Sequence, residues 1–220
     1  MKLSYQLLCK NEDQSLMNLL SDIHNFTPTT AEHTFEVNVC RDEEGTNPDT
    51  LKIIESFKSS VHVNHYERSI RHTIHEQKNW LASKATGDYL FYLDADETLS
   101  EFMYRNLWSI IELNLDVDIF IFPRINTVEG LTQEYIRQRG WKLNDKGWIN
   151  FPDWQDRLFK HNCDISFEQV PHGRLKMEGK KYTFLPQYED FAIKHAKTFD
   201  KQVKDNNWHD NKERELGLRK

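Results

Sequence analysis

The chain has 220 residues, a formal net charge of -6, 38% hydrophobic and 29% charged residues. That balance belongs to a globular protein with a sizeable core. It excludes a disordered chain and a strongly basic nucleic-acid coat protein, and the apolar runs are too short to span a bilayer. Three scattered cysteines, Cys9, Cys40 and Cys163, fit a reducing, cytoplasmic setting rather than a disulfide frame or a zinc ribbon, and residues 1–5 read as the start of a strand rather than a signal peptide.

Taken in order, residues 3–9 form a first strand and residues 15–24 a helix, with Leu16, Leu19, Leu20 and Ile23 at helical spacing. Residues 35–40 alternate as a second strand. A polar loop, 41–50, opens onto a helix at 51–58. Residues 61–65 are a third strand and 69–84 a helix that Gly87 terminates. A fourth strand spans 89–93, and the β-α-β-α-β-α-β order predicts an α/β layer with parallel strands. Beyond it, residues 101–113 are an amphipathic helix and 118–123 a strand closed by Pro123. Residues 127–148 are an irregular connection, and a helix opens at 151–159 with Pro152 near its start. Residues 165–170 are a strand, 191–195 a short strand or turn, and 197–208 a charged helix. Residues 209–220 form a polar, frayed tail, so the expected unit is one domain over 1–208.

The chemistry concentrates where the fourth strand ends, at Asp94-Ala95-Asp96-Glu97-Thr98. The carboxyl edge of an open α/β sheet is where ligands bind, and two aspartates one residue apart can both reach one hard cation across a turn. This cluster admits three readings: the Asp-x-Asp site of a nucleotide-sugar glycosyltransferase, the Asp-x-Asp-x-Thr nucleophile of a haloacid-dehalogenase-type phosphatase, or a solvated strand end. The phosphatase motif belongs on a first strand with a Gly-Asp downstream. Here three strands precede Asp94, and Gly87-Asp88 lies upstream.

Four segments resemble family-2 glycosyltransferases of the GT-A fold, in particular a small bacterial and phage branch. Cys9-Lys10-Asn11-Glu12-Asp13 follows the first strand, and Gly45-Thr46-Asn47-Pro48-Asp49-Thr50 lies in the loop after the second. Lys78-Asn79 precedes Ala85-Thr86-Gly87-Asp88-Tyr89 and Leu93-Asp94-Ala95-Asp96-Glu97. Pro152-Asp153-Trp154-Gln155-Asp156-Arg157-Leu158-Phe159 closes the set. The resemblance implies a mostly parallel, Rossmann-like sheet flanked by helices. It also implies a metal-dependent, inverting transfer of a sugar from a nucleotide diphosphate, UDP first among them, to a hydroxyl on a glycan, a modified nucleobase or a protein. Asn11, Glu12, Glu43, Arg71, Lys78 and Asp94 would bind the nucleotide sugar. Asp94, Asp96 and His195 would hold Mn2+ or Mg2+, with His172 the competing imidazole. Asp153, or Asp156 as fallback, would be the base, and Trp154 and His172 would lie on the acceptor side. A non-catalytic nucleotide-sugar or glycan-binding module is the alternative of another class.

Plainer roles stand beside these. Arg71 and Lys78 lie two helical turns apart and either meet the diphosphate or form a solvated face. Asp153 is either a base or a helix cap. Asp156 is either a base or the ion-pair partner of adjacent Arg157. Trp148 and Trp154 either stack on sugars or fill a core. His62 and His65 lie on opposite strand faces and cannot share one ion, whereas His72 and His75 on a helix could.

Overall fold

A strand that is apolar on both parities has to be covered on both faces. In the fourth strand, β4 (Tyr89–Asp94), every residue up to Leu93 is buried. Tyr89, Phe91 and Leu93 join one core cluster, and Leu90 and Tyr92 join a second on the opposite face. The computed structural model describes residues 1–44, 47–69, 74–168, 174–215 and 217.

The first half reads β1 (Lys2–Cys9), α1 (Asp13–Phe26), β2 (Thr34–Arg41), α2 (Pro48–Phe57), β3 (Val63–Glu67), α3 (Ile74–Ala82) and then β4. The second half reads β5 (Glu97–Thr98), α4 (Glu101–Glu112), β6 (Ile119–Glu129), α5 (Gln133–Arg139), β7 (Ile149–Lys160), β8 (Phe167–Glu168), β9 (Arg174–Leu175), β10 (Tyr182–Phe184), β11 (Ile193–Thr198) and α6 (Phe199–Glu215). The main sheet has the order β3-β2-β1-β4-β7-β6-β11-β5, with β10 also on β6. The pairs β2·β3, β1·β2, β1·β4, β6·β10 and β6·β11 are parallel; β7 runs antiparallel to both its neighbours, and β5 antiparallel to β11. The expected α/β class, a mostly parallel sheet flanked by helices, is what the chain adopts. Strand order reverses at β1, which places the crevice for ligands at the carboxyl ends of β1 and β4.

Helices α1 and α4 bury the residues their spacing predicts, Leu16, Leu19, Leu20 and Ile23 in α1 and Met103, Tyr104, Leu107, Trp108 and Ile111 in α4. The Ser100 side chain accepts from Met103 N at 3.0 Å and starts α4. On the other face, α3 sits over Tyr92, whose hydroxyl donates to the Lys78 carbonyl at 2.6 Å.

Several expectations are corrected. Residues 151–159 are strand, not helix, because Leu158 and Phe159 are taken into the core between β4 and β6. Pro152 falls in the register shift between the pairs Arg124–Asp153 and Asn126–Ile149, where its missing N–H costs no ladder bond. Pro123 does not close β6. It lies between the last β10 pairing at Ile121 and the first β11 pairing at Arg124. The connection at 127–148 contains the end of β6 and α5, which is capped by the Thr132 side chain and by Gly140 at a left-handed φ of 64°. The tail from 209 is helical as far as Glu215. The third strand is Val63–Glu67, two residues later than expected, and the strand at 165–170 is reduced to Phe167–Glu168, with 169 and 170 outside the described residues.

Gly87 also has a different role. Helix α3 ends earlier, at Ala82. A Cβ at Gly87 would come within 2.6 Å of Ser4 Oγ and 2.8 Å of the Lys2 carbonyl, so only glycine lets this turn lie against β1. The turn is held there by Glu36, buried on β2. Its carboxylate accepts from Lys2 Nζ (2.9 Å), Ser4 Oγ (2.7 Å), Thr86 N (2.8 Å) and Thr86 Oγ1 (2.8 Å). Burial pushes this carboxyl up, but the bonds outweigh it and bring its pKa from an ordinary 4.5 down to about 2. A depressed acid pKa gives stability that is present above the unfolded value and lost as pH falls through the folded one. Glu36→Gln is therefore expected to lose about 1–3 kcal/mol at pH 7, with the deficit shrinking as pH drops from about 5 towards about 2. Urea midpoints of both proteins across that range measure it, and a pH-independent deficit would contradict the account.

Candidate functional site

Four carboxylates meet at the carboxyl end of β4, and their neighbours decide what each can do. Asp94 ends β4, Asp96 lies in the turn, and Glu97 opens β5. Glu97 is wholly buried. Its Oε2 accepts from Asp94 N at 3.0 Å, and its Oε1 accepts from Arg157 Nη2 at 2.6 Å and Arg124 Nη1 at 3.0 Å. Arg157 Nη2 also donates to Asp94 Oδ2 at 2.9 Å. The arginines come from β7 and β6, so one buried carboxylate ties together the ends of four strands.

Asp153 lies near the start of β7. Its Oδ2 accepts from Arg124 Nε (2.9 Å) and Nη2 (2.6 Å) and from Asn126 Nδ2 (2.8 Å), and its Oδ1 accepts from Gln155 Nε2 at 3.0 Å. Burial raises its pKa, but Arg124, Asn126 and Gln155 together hold it below the usual aspartate value. The side chain is ionised at neutral pH, and Oδ1, with one hydrogen bond, keeps room for another donor.

Asn126 carries the arrangement further. Its amide nitrogen faces a carboxylate, so its Oδ1 is the atom 2.9 Å from His195 Nδ1. A carbonyl oxygen accepts only, so Nδ1 bears the proton. Nε2 then points at Asp96 Oδ2, 3.5 Å away. The same oxygen accepts from Lys201 Nζ at 2.9 Å and has Lys197 Nζ 4.0 Å off. Burial pushes the Asp96 carboxyl up, but His195 and Lys201 overcome this and hold it well below the aspartate range. For Asp94, burial is likewise outweighed, by Arg157 and Lys78.

Asp96 Oδ2 and His195 Nε2, once that nitrogen has given up the proton it otherwise directs at Asp96, would be the hard-oxygen and imidazole donor pair that Mn2+ or Mg2+ accepts. Among the described residues no three His, Cys, Asp or Glu side chains form a ready-made cage. The residues therefore fit an ion shared between Asp96, His195 and a phosphorylated ligand. Asp94, expected as a further ligand, lines the same cavity with its Oδ2 bonded to Arg157 Nη2.

These groups line a cavity of about 820 Å³ together with Lys78, Trp154 and the α6 residues Gln202 and Asn206. Lys78 is buried between the rings of Phe167 and Tyr92, 4.9 and 5.9 Å from their centroids, and burial lowers its pKa despite nearby Asp94. Among the described residues, Asn11, Glu12 and Glu43 stand outside the lining. Asn11 Oδ1 accepts from Asn47 N at 2.8 Å, and Glu12 Oε2 accepts from Lys10 N at 2.7 Å, so both brace the loops after β1 and β2. Arg71, His72 and His172 lie outside the described residues. The expected Asp156–Arg157 pair does not form. Adjacent strand residues face opposite ways, and Asp156 Oδ2 accepts from Leu175 N at 2.9 Å. Arg124, Asn126 and Lys201 were not singled out from the sequence, and Glu97 was named there only within the acidic cluster; Arg124, a charge directly after the buried run of β6, carried a usable signal.

Arg157→Met should cost about 3–5 kcal/mol, because it strips a partner from buried Glu97. Arg105→Met, which breaks the exposed pair with Glu101, should cost under about 1 kcal/mol. Equal losses in chemical denaturation would remove the network from its structural role.

The glycosyl transferase family 2 model matches residues 7–172. Comparison with curated proteins found no match. Among solved structures, S. aureus TarS 1-349 has a TM-score of 0.61 at 14% identity, over 89% of this chain and 60% of that one. The same protein in complex with UDP-GlcNAc gives 0.56 at 14% identity, over 89% and 58%. The mannosyltransferase PcManGT from Pyrobaculum calidifontis, in complex with GDP-Man and Mn2+, gives 0.58 at 13% identity, over 88% and 56%. The chain thus spans at most 60% of the length of these neighbours, and the likeness is one of fold, GT-A. The family match runs from the end of β1 past the whole of β7 and takes in the acidic turn, so this chain belongs to glycosyl transferase family 2.

Proposed function

We propose that this glycosyltransferase moves a sugar from a nucleoside diphosphate, a UDP-sugar first and a GDP-sugar second, to an acceptor hydroxyl with inversion at the anomeric carbon. The observation that carries the reading is the cavity itself. One carboxylate braced by a guanidinium and two amides, Asp153, shares it with Asp96 and His195, the pair that fits a divalent ion. Mn2+ or Mg2+, when bound at Asp96 and His195, supplies positive charge to the departing diphosphate. Lys78 lies on the same wall and adds a cation on the donor side. Asp94, paired with Arg157, serves as a neutralised wall beside the ribose.

Asp153 acts as the base. Its ionised Oδ1 accepts the acceptor proton as that oxygen attacks, and Arg124 and Asn126 fix the carboxylate's orientation on Oδ2. The acceptor is a hydroxyl on a glycan, a modified nucleobase or a protein, and Trp154 lies on its side of the cavity. The three cysteines are unbridged, in keeping with a cytoplasmic setting, and among the described residues no helix is long and apolar enough to cross a membrane.

Turnover of UDP-GlcNAc and GDP-Man with Mn2+ tests the reading. Asp153→Asn is expected to lower kcat by about 10²–10⁴-fold while UDP binding persists. Asp96→Ala is expected to abolish the Mn2+ dependence of UDP binding, and equal Mn2+-dependent binding in both proteins would sink the metal assignment. The acid limb of kcat/KM should lie below the ordinary aspartate value of about 4. The base works only when ionised, and Arg124 favours that form, so Arg124→Gln should shift the limb upward. A limb that stays in place contradicts Asp153 as the base.

A further inference from the structure

Beyond the catalytic cavity lies a second, shallower one of about 340 Å³, lined by Trp154, Phe184, Leu185, Pro186 and Gln187. Trp154 and Phe184 belong to both cavities. Their rings meet edge to face at 4.7 Å, and the Tyr182 ring meets Phe184 at 5.8 Å. The strip begins at Trp154, which lines the catalytic cavity together with Asp153, and continues onto β10. Trp154 is partly buried, whereas the aromatics beyond it are exposed. Tyr182 is 53% exposed, Phe184 50% and, farther along the chain, Tyr188 71%. Aromatic rings normally bury large area, so a contiguous exposed group of them marks a surface that something covers.

We propose that this strip is an extended acceptor subsite that stacks pyranose rings, making the acceptor of this enzyme an oligosaccharide or polysaccharide. The proposal rests on the glycosyltransferase reading above and names its acceptor class. Continuity decides the occupant. A chain whose reacting hydroxyl sits at Asp153 leaves the catalytic cavity over Trp154 and Phe184, which form the shared wall. Ring chemistry supports a sugar. The apolar C–H faces of a pyranose lie flat on aromatic faces, and the Gln187 amide at the rim offers a donor and an acceptor for hydroxyls. Charge disfavours a nucleic acid. Bases also stack on aromatics, but a nucleic-acid strand needs cations along its backbone. The described residues lining this cavity include no Lys or Arg, nearby Lys181 is paired with Asp116 at 3.6 Å, and the chain is net acidic.

The test uses the full chain and a defined set of probes. Cellohexaose, maltohexaose and chitohexaose are titrated by saturation-transfer NMR and calorimetry, alongside a dT hexamer at low and high salt, with UDP plus Mn2+ followed in parallel. At least one hexasaccharide is expected to bind. Its affinity should fall about tenfold or more in Phe184→Ala and Tyr182→Ala, and Phe184→Tyr, which keeps the ring, should restore it. The subsite is overturned if no hexasaccharide binds, if Phe184→Ala binds as well as wild type, or if the dT hexamer binds more tightly and loses affinity steeply with salt. UDP binding separates the two levels of failure. A protein that binds UDP but no glycan loses the subsite alone, whereas one that binds neither loses the glycosyltransferase reading as well.

Discussion

The site depends on one buried carboxylate, Glu97, held between two guanidinium groups. Removing three charges from water is costly, and such an arrangement persists only when every oxygen and N–H finds a partner with good geometry. Here it is met at the carboxylate, although the buried Arg157 Nε has no hydrogen-bond partner among the described residues. Both oxygens of Glu97 are used, one by Asp94 N and the other by Arg124 and Arg157. Each arginine then has donors left over, and these reach the functional carboxylates. Arg157 takes Asp94, and Arg124 takes Asp153. The buried ion pair and the one at the proposed base are thus parts of the same network, and neither Asp94 nor Asp153 can rotate without disturbing the buried centre.

This coupling explains how four carboxylates can crowd the end of one strand. Unpaired, such neighbours would raise one another's pKa and some would sit neutral. With Arg124, Arg157, His195 and Lys201 interleaved, Asp94, Asp96 and Asp153 are instead held below the ordinary aspartate value. The result is fixed negative charge in a half-open cavity, oriented before any substrate arrives. Preorganisation of this kind lets charged groups act on a transition state without reorganising during the reaction. Asn126 extends the order to His195. By donating to Asp153 and accepting from the imidazole, it sets which ring nitrogen faces Asp96.

How much of this could be read from residue order depends on how local each signal is. The unbroken run Tyr89–Leu93 announces burial on both faces, and the spacing of Leu16, Leu19, Leu20 and Ile23 announces α1. Both are short-range patterns, and both hold. Strand β7 is the opposite case. Phe151, Trp154 and Leu158 fall three and four residues apart, the period of a helix, and a proline near the start strengthens that impression. The pairing that makes these residues a strand comes from β6, about thirty positions away, and overrides the local period. Misreading β7 also hid Arg157. On a helix it would pair with a near neighbour, whereas on a strand it turns away from Asp156 and reaches Asp94 and Glu97. The Asp94, Asp96 and His195 grouping was legible only in part, since what Asp94 bonds is decided by that distant arginine.

Helix α6 shows how the same electrostatics extend to the mouth of the cavity. None of its described residues is buried, so apolar packing supplies little of its attachment. It is fastened through Lys201 to Asp96, Asp210 to Arg139 and Asn206 to the Tyr135 hydroxyl, while Lys197 at the end of β11 ties Asp205. The first of these attachments ends on the carboxylate best suited to a divalent ion. A cation at Asp96 Oδ2 and the Lys201 ammonium compete for one oxygen, and Coulomb repulsion drives them apart unless further negative charge arrives. A nucleoside diphosphate brings that charge. Under the proposed function, the helix that walls the cavity is therefore held, through Lys201, at the carboxylate where the donor's charge would be felt.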